Sequence, residues 1–405
     1  MKILLLTNEY PPHIYGGAGV HVEHLSRELA KIDQNQLQVL SFGDQSIHDP
    51  AMSISGIAPS MELSSNGLKR GKLLDTLYRN IVMTGKVESA DVIHCHTWYS
   101  HLAGCLLKQV LGIPMVVTTH SLEPHRPWKK EQLGDSYNAS CWLEKTALTN
   151  ADGIIAVSKA MKKDTQDLFG VAPERVEVIY NGIDADRFKK IEDADTLKRY
   201  GVDPEKPYVL FVGRITRQKG ILHLVNALPY LDEGIQVVLC AGAPDTPEIG
   251  REMKHAVEAA RSKTNNDILW IDEMVPIPQL IALYSHASLF VCPSVYEPFG
   301  IINLEAMACH TPVVASAVGG IPEVVVHGET GLQVPFEPTG NGSSEPKNPD
   351  AYSRDLAAAV NTLMTSPDRR NEMGKASRRR VEALFSWKSI AEQTQAYYRK
   401  LVSAK

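Results

Sequence analysis

The chain has 405 residues, 43% hydrophobic and 22% charged, with a formal net charge of −5. That length makes two or three globular domains of ordinary composition, and the acidic balance excludes the broad basic field of a nucleic-acid binder. Any anionic substrate must therefore be met by local cations.

Apolar runs at 2–7, 37–42, 91–95, 113–119, 153–157 and 175–179 predict strands, and a second series follows at 207–213, 235–241, 267–271, 288–292, 312–316 and 331–334. Helical patterns lie between them; residues 18–31 set Val22, Leu25 and Leu29 on one face, as a helix docked on a sheet requires. Strand–helix alternation predicts parallel sheets covered on both sides. The series is too long for one sheet, and the polar stretch 184–207 reads as the crossing between two domains. The expected class is α/β, with two doubly wound domains facing each other across a cleft. Residues 337–350 are expected to form a mobile surface loop, and 387–405 a final helix.

The first run, Met1 to Thr7, reads as a strand rather than a signal peptide. No run approaches the roughly 18 apolar residues that span a bilayer. Cys95, Cys105, Cys141, Cys240, Cys292 and Cys309 fall mostly in apolar runs without a CxxC pair and read as free thiols in a reducing compartment. The expectation is a cytoplasmic protein without membrane insertion.

Strand 1 is followed by Asn8-Glu9-Tyr10-Pro11-Pro12 and then Gly16-Gly17-Ala18-Gly19. Glycines between a strand and a helix let backbone approach phosphate, but this spacing is not GxGxxG and no clear acidic partner follows about 20 residues on. An ordinary tight turn is the alternative reading. The second series opens in the same way: Gly213 to Gly220 follows an apolar strand and carries Arg214, Arg217 and Lys219. Cations just past the carboxyl end of a strand point into the crevice of an open α/β sheet. Arg214 as a fork and Lys219 as a point charge suit the two sides of a diphosphate.

His94, His96 and His120 fall at strand ends, with no Cys or carboxylate at a spacing that completes a zinc site. His120 is placed to hydrogen-bond a hydroxyl. The loop after it brings Arg126, Trp128 and Lys129, an aromatic platform and two cations that suit a sugar or sugar-phosphate acceptor. Asp184-Ala-Asp186 and Asp193-Ala-Asp195 have the form of a metal-holding D-x-D pair, but lie in the polar crossing and read as solvated.

Glu297-Pro-Phe-Gly-Ile-Ile-Asn-Leu-Glu305 is the most informative segment. Phe299-Gly300 reads as a loop end and Ile301 to Cys309 as a helix. Glu297 and Glu305 then stand about 10–12 Å apart at 1.5 Å rise per residue, too far to share a proton but suited to gripping two ends of a long ligand. Between them the amides of Phe299, Gly300, Ile301 and Ile302 form a helix N-terminus, a seat for a diphosphate.

These residues resemble the retaining glycosyltransferases of family four, which have the GT-B fold of two Rossmann-like domains. Glu297 and Glu305 match the family's E-x7-E motif, Arg214 and Lys219 its phosphate-binding pair, Gly16-Gly17 its first glycine loop and His120 its cleft histidine. The resemblance runs over essentially the whole chain. It implies an acceptor-side domain over 1–185, with helix 387–405 packing back on it, and a donor domain over 186–386. It also implies Glu297, Arg214, Lys219 and His120 as catalytic residues, no cofactor, no metal, and a nucleotide-sugar donor. The runs 8–21, 119–134 and 296–309 are similar to those of actinobacterial-type glycogen synthases. That similarity implies ADP-glucose as donor and a glucan end or glucose 1-phosphate as acceptor. The alternative within the family is UDP-glucose, UDP-N-acetylglucosamine or GDP-mannose with a small-molecule or lipid acceptor. The classical bacterial synthases carry Lys-Thr-Gly-Gly-Leu in the first glycine loop; here Tyr15 precedes Gly16. An epimerase of the same fold, a nicotinamide-dependent oxidoreductase and a non-catalytic glucan-binding module are the rival classes.

Overall fold

The computed structural model describes residues 1–63, 70–340 and 343–404. The chain divides into two compact domains, Met1–Gly182 with Trp387–Lys405, and Ile183–Ser386. No helix among the described residues is long and apolar enough to cross a membrane.

The first domain runs β1 (Lys2–Leu6), α1 (Gly17–Lys31), β2 (Gln36–Phe42), β3 (Ser46–His48), β4 (Met52–Ile57), α2 (Gly71–Gly85), β5 (Val92–His96), α3 (His101–Leu111), β6 (Met115–Thr119), α4 (Lys129–Leu133), α5 (Ser136–Asn150), β7 (Gly153–Ala156), α6 (Lys159–Phe169) and β8 (Val176–Val178). Its sheet has the order β3-β4-β2-β1-β5-β6-β7-β8. Every pairing is parallel except β3 on β4. Leu4, Leu5, Leu6, Val92 and Ile93 are fully buried. Burial on both faces is why these strands read as continuous apolar runs rather than alternating ones.

The C-terminal helix, Trp387–Ser403, belongs to this domain. Its Trp387, Ile390 and Tyr398 share a buried cluster with Val22, Leu25 and Leu29 of α1. The His24 ring lies parallel to Trp387 at 5.2 Å. Each such apolar side chain contributes about 1.5–3 kcal/mol on burial, so the tail is part of the core.

The second domain runs α7 (Ala194–Arg199), β9 (Tyr208–Val212), α8 (Ile221–Ala227), β10 (Gln236–Cys240), α9 (Pro247–Arg261), β11 (Ile268–Ile271), α10 (Ile277–His286), β12 (Leu289–Cys292), α11 (Ile301–Ala308), β13 (Val313–Ser316), α12 (Ile321–Val324), β14 (Gly331–Val334), β15 (Pro338–Gly340), β16 (Ser343–Pro346), α13 (Pro349–Met364) and α14 (Pro367–Leu384). The main sheet is wholly parallel, in the order β11-β10-β9-β12-β13-β14. Strand order reverses between β9 and β12, and in the first domain between β1 and β5. In open α/β sheets, ligands bind outside the carboxyl ends of the strands at that reversal.

Two expectations are corrected. β3 and β4 escaped the sequence reading because β4 buries only Ile54 and Ile57 among serines and a glycine, too little for an apolar run. The expected loop at 337–350 holds an antiparallel hairpin, with Pro338 opposite Pro346 and Gly340 opposite Ser343, and α13 begins at its end. Prolines and glycine disguise these strands as loop. The ends are closed by Lys347, whose N–H donates to the Glu337 carbonyl at 2.8 Å and whose ammonium meets Glu337 Oε1 at 2.7 Å.

Candidate active site

In the second domain, the loops after β9 and β12 are fastened together at the reversal. The Val295 N–H donates to the Gln218 carbonyl at 3.0 Å. Gly220 sits at φ +62°, and a Cβ there would lie 2.0 Å from the Pro293 carbonyl oxygen, so only glycine fits. This contact aims Lys219 at Glu297: Lys219 Nζ is 2.8 Å from Glu297 Oε2. Burial pulls the Lys219 pKa down, but the Glu297 charge and hydrogen bond more than offset this, and it stands above its ordinary value. Arg214 forms an ion pair with Asp245, which follows β10. That loop is tied to the first by Ile215 N–H to the Gly242 carbonyl and Asp245 N–H to the Ile215 carbonyl. Arg217 turns away to Glu252 on α9, at 3.1 Å.

Gly300, at φ +104°, caps α11. The amides of Ile301 and Ile302 open the helix without an intrahelical acceptor. The Phe299 ring is buried against Phe385 at 5.8 Å, so Phe299 offers the site its backbone rather than its side chain. Gly320 N–H donates to the Glu297 carbonyl at 2.9 Å, and a Cβ on Gly319 would lie 2.1 Å from that oxygen. Gly319 and Gly320 thus press the loop after β13 onto Glu297. Sequence reading passed over them, although a Gly-Gly pair behind a strand was visible. Glu305, one turn into α11 and half-buried, accepts from the Tyr284 hydroxyl at 3.0 Å. Burial raises its pKa to about 7, against the lowering effect of the Tyr284 bond, Lys219 and Arg187.

In the first domain, the loop after β1 differs from expectation. Tyr15 N–H and Gly16 N–H both donate to Glu9 Oε2, at 2.9 and 2.8 Å. The Gly16 amide, read as a phosphate contact, serves an internal carboxylate in this structure; Gly17 begins α1 beside it. Across the β1/β5 reversal, the Thr97 hydroxyl donates to Asn8 Oδ1 at 2.6 Å. His120 lies just past β6, its Nε2 2.9 Å from His96 Nδ1. His21 of α1 joins them, with its ring 4.8 Å from His120 and 5.5 Å from His96. His94 is held by Thr118 and Tyr398 at 2.7 and 2.5 Å. Burial drives all four imidazoles well below their ordinary pKa, His21 to about 4, so the cluster is neutral.

The expected acceptor residues each have partners within their own loop. Arg126 turns inward: its Nη1 donates to Ser121 Oγ at 3.1 Å and meets Glu123 Oε1 at 3.3 Å. Glu123 is buried, so the guanidinium neutralises an interior carboxylate. Lys129 donates to Gln132 at 2.7 Å, and Trp128 is half-buried at the start of α4. Asp184 caps its own turn through the amides of Asp186 and Arg187, and Asp193 caps α7 through Thr196.

Residues 15–187 match the model for Glycosyltransferase Family 4, and 193–380 that for Glycosyl transferases group 1. The chain is 45% identical to the alpha-maltose-1-phosphate synthase of Mycolicibacterium smegmatis, over 99% of this chain and all of that protein. It is 29% identical to a glycogen synthase of Mycobacterium tuberculosis, over 98% and 94%. The sucrose-phosphate synthase of Thermosynechococcus elongatus superposes over the full length of both chains with a TM-score of 0.80 at 27% identity. With two Rossmann-like domains, an E-x7-E segment at one reversal and full-length identity of this order, the chain is a glycosyltransferase of the GT-B class and belongs to glycosyltransferase family 4.

Proposed function

We propose that the protein is a retaining, metal-independent glucosyltransferase that moves glucose from ADP-glucose to glucose 1-phosphate, forming an α-1,4 bond. The observation that carries this reading is the β9/β12 reversal, where Lys219, Arg214, Glu297 and the N-terminus of α11 come from loops locked to one another. Full-length identity to an alpha-maltose-1-phosphate synthase supports a sugar-phosphate acceptor.

In this mechanism the diphosphate displaces the internal carboxylates and takes Arg214, Lys219 and the first amides of α11. These preorganised charges stabilise the negative charge that builds on the departing diphosphate. Glu297 binds hydroxyls of the donor glucose, Glu305 the ribose hydroxyls, and His120 the donor sugar. A departing phosphate oxygen takes the acceptor's proton, so no positioned carboxylate base is needed. The protein acts in the cytoplasm on small soluble substrates.

A glucan end is the second reading for the acceptor, favoured by the 29% identity to a glycogen synthase. Mass spectrometry of products from ADP-glucose, offered glucose 1-phosphate and glycogen in parallel, decides between them. A disaccharide phosphate is the expected product. UDP-glucose, UDP-N-acetylglucosamine and GDP-mannose in the same assay test the donor. Transfer from one of these and none from ADP-glucose overturns the assignment.

A further inference from the structure

Three imidazoles from separate elements converge in the first domain: His21 of α1, His96 at the end of β5 and His120 just past β6. One nitrogen of each lies within 4.8 Å of the other two. Imidazoles bonded to one tetrahedral ion at about 2.0–2.1 Å hold their nitrogens roughly 3.4 Å apart. His96 Nδ1 and His120 Nε2 are already 2.9 Å apart, and the three ring centroids stand 4.8, 5.3 and 5.5 Å from one another.

A buried nitrogen in this group, His21 Nε2, has no hydrogen-bond partner. A buried polar atom left unpaired costs about 1–3 kcal/mol, and this one calls for an occupant. The Asn181 side chain points to what that occupant is. His21 Nδ1 lies 2.7 Å from Asn181 Oδ1, a carbonyl oxygen that only accepts, so the proton resides on Nδ1 and Nε2 presents a bare lone pair. A metal-binding histidine is oriented in this way, its other N–H donated to an oxygen behind it.

We propose that His21, His96 and His120 form a site for one zinc-type divalent ion, and that its occupancy excludes the donor sugar. Three neutral imidazoles select zinc, cobalt, nickel or copper over magnesium and calcium, which prefer oxygen. The ion is an inhibitor, not a cofactor: it takes the histidine assigned to the sugar, while the charge that drives transfer lies on the second domain. The exclusion rests on that assignment of His120; ion binding does not.

Untagged full-length protein, stripped with EDTA and dialysed, is titrated with cobalt chloride. The expected result is one equivalent bound with the visible bands of tetrahedral cobalt, displaced by zinc chloride. His21→Leu removes a ligand and loses the bands. Asn181→Ala keeps all three ligands and weakens binding about 10–100-fold through loss of the outer support. It also stands in should His21→Leu fail to fold. No bands in the wild type, or equal affinity in both variants, overturns the site. Added ADP-glucose is expected to weaken cobalt binding. Bands that are lost in His21→Leu yet indifferent to ADP-glucose leave the ion site standing and remove His120 from the sugar contacts.

Discussion

Lys219 Nζ lies 2.8 Å from Glu297 Oε2, so a cation and a carboxylate from two different loops neutralise one another and hold each other in place. The bond spans 78 residues, and its geometry depends on the close approach of the two loops at Gly220. Under the proposed mechanism, Lys219→Ala removes charge that the departing diphosphate needs. It is expected to lower kcat by roughly 10²–10³-fold, the loss typical of one preorganised charge contact. Initial rates with saturating nucleotide sugar measure this, and unchanged turnover removes Lys219 from the mechanism.

Arg214 and Asp245 repeat the relationship on the other side. Arg214→Ala is expected to fall mainly in kcat, to a similar degree. Asp245→Asn leaves the cation but loosens its aim, and is expected to cost about tenfold in kcat/KM. Full activity in Asp245→Asn with a dead Arg214→Ala restricts Asp245 to structure.

Gly220→Ala tests the fastening itself. Alanine at φ +62° is strained, and its Cβ meets backbone that cannot swing away. A loss of about 2 kcal/mol or more is expected by urea denaturation, together with weaker nucleoside diphosphate binding. A variant as stable as the wild type shows that the loops can part without cost.

Much of this was legible in the sequence, and what was not has physical causes. The twelve apolar runs are strands because both faces of each sheet are covered, and covered strands cannot hide. The segment Glu297–Glu305 announced a loop, a glycine cap and a helix, each with its own residue chemistry. Pairing is different: nothing local says that Lys219 meets Glu297 or that Arg214 meets Asp245. The same limit hid His21, which reads as one more polar residue on an amphipathic helix until β5 and β6 bring His96 and His120 beside it. The inward turn of Arg126 was hidden for the converse reason. A charged loop residue looks solvated, but Glu123 is buried three positions before it and draws the guanidinium inward.

Glu305 gives the pH dependence. Its folded pKa of about 7 lies above the ordinary carboxyl value near 4.5, so the folded state holds a proton that the unfolded chain has released. Stability attributable to this group is therefore full below about pH 4.5, falls as pH rises to about 7, and is flat above. Glu305→Gln cannot ionise and is expected to gain on the order of 1–3 kcal/mol on the wild type between pH 5 and pH 8. Thermal melts of both proteins at the two pH values measure this; parallel shifts contradict a raised pKa. In turnover, Glu305→Ala is expected to raise the donor KM more than it lowers kcat, because ribose contacts are nearly equal in ground and transition states.

The last prediction concerns divalent ions. If Arg214 and Lys219 supply all the positive charge the departing diphosphate needs, EDTA-treated protein transfers sugar at a rate within about twofold of the untreated protein. Magnesium or manganese then adds nothing, since the two side-chain cations already supply the charge. Rates before and after EDTA, with each ion returned separately, measure this. Activity abolished by EDTA and restored by magnesium or manganese moves the catalytic charge from these side chains to a bound ion, and with it the roles of Arg214 and Lys219.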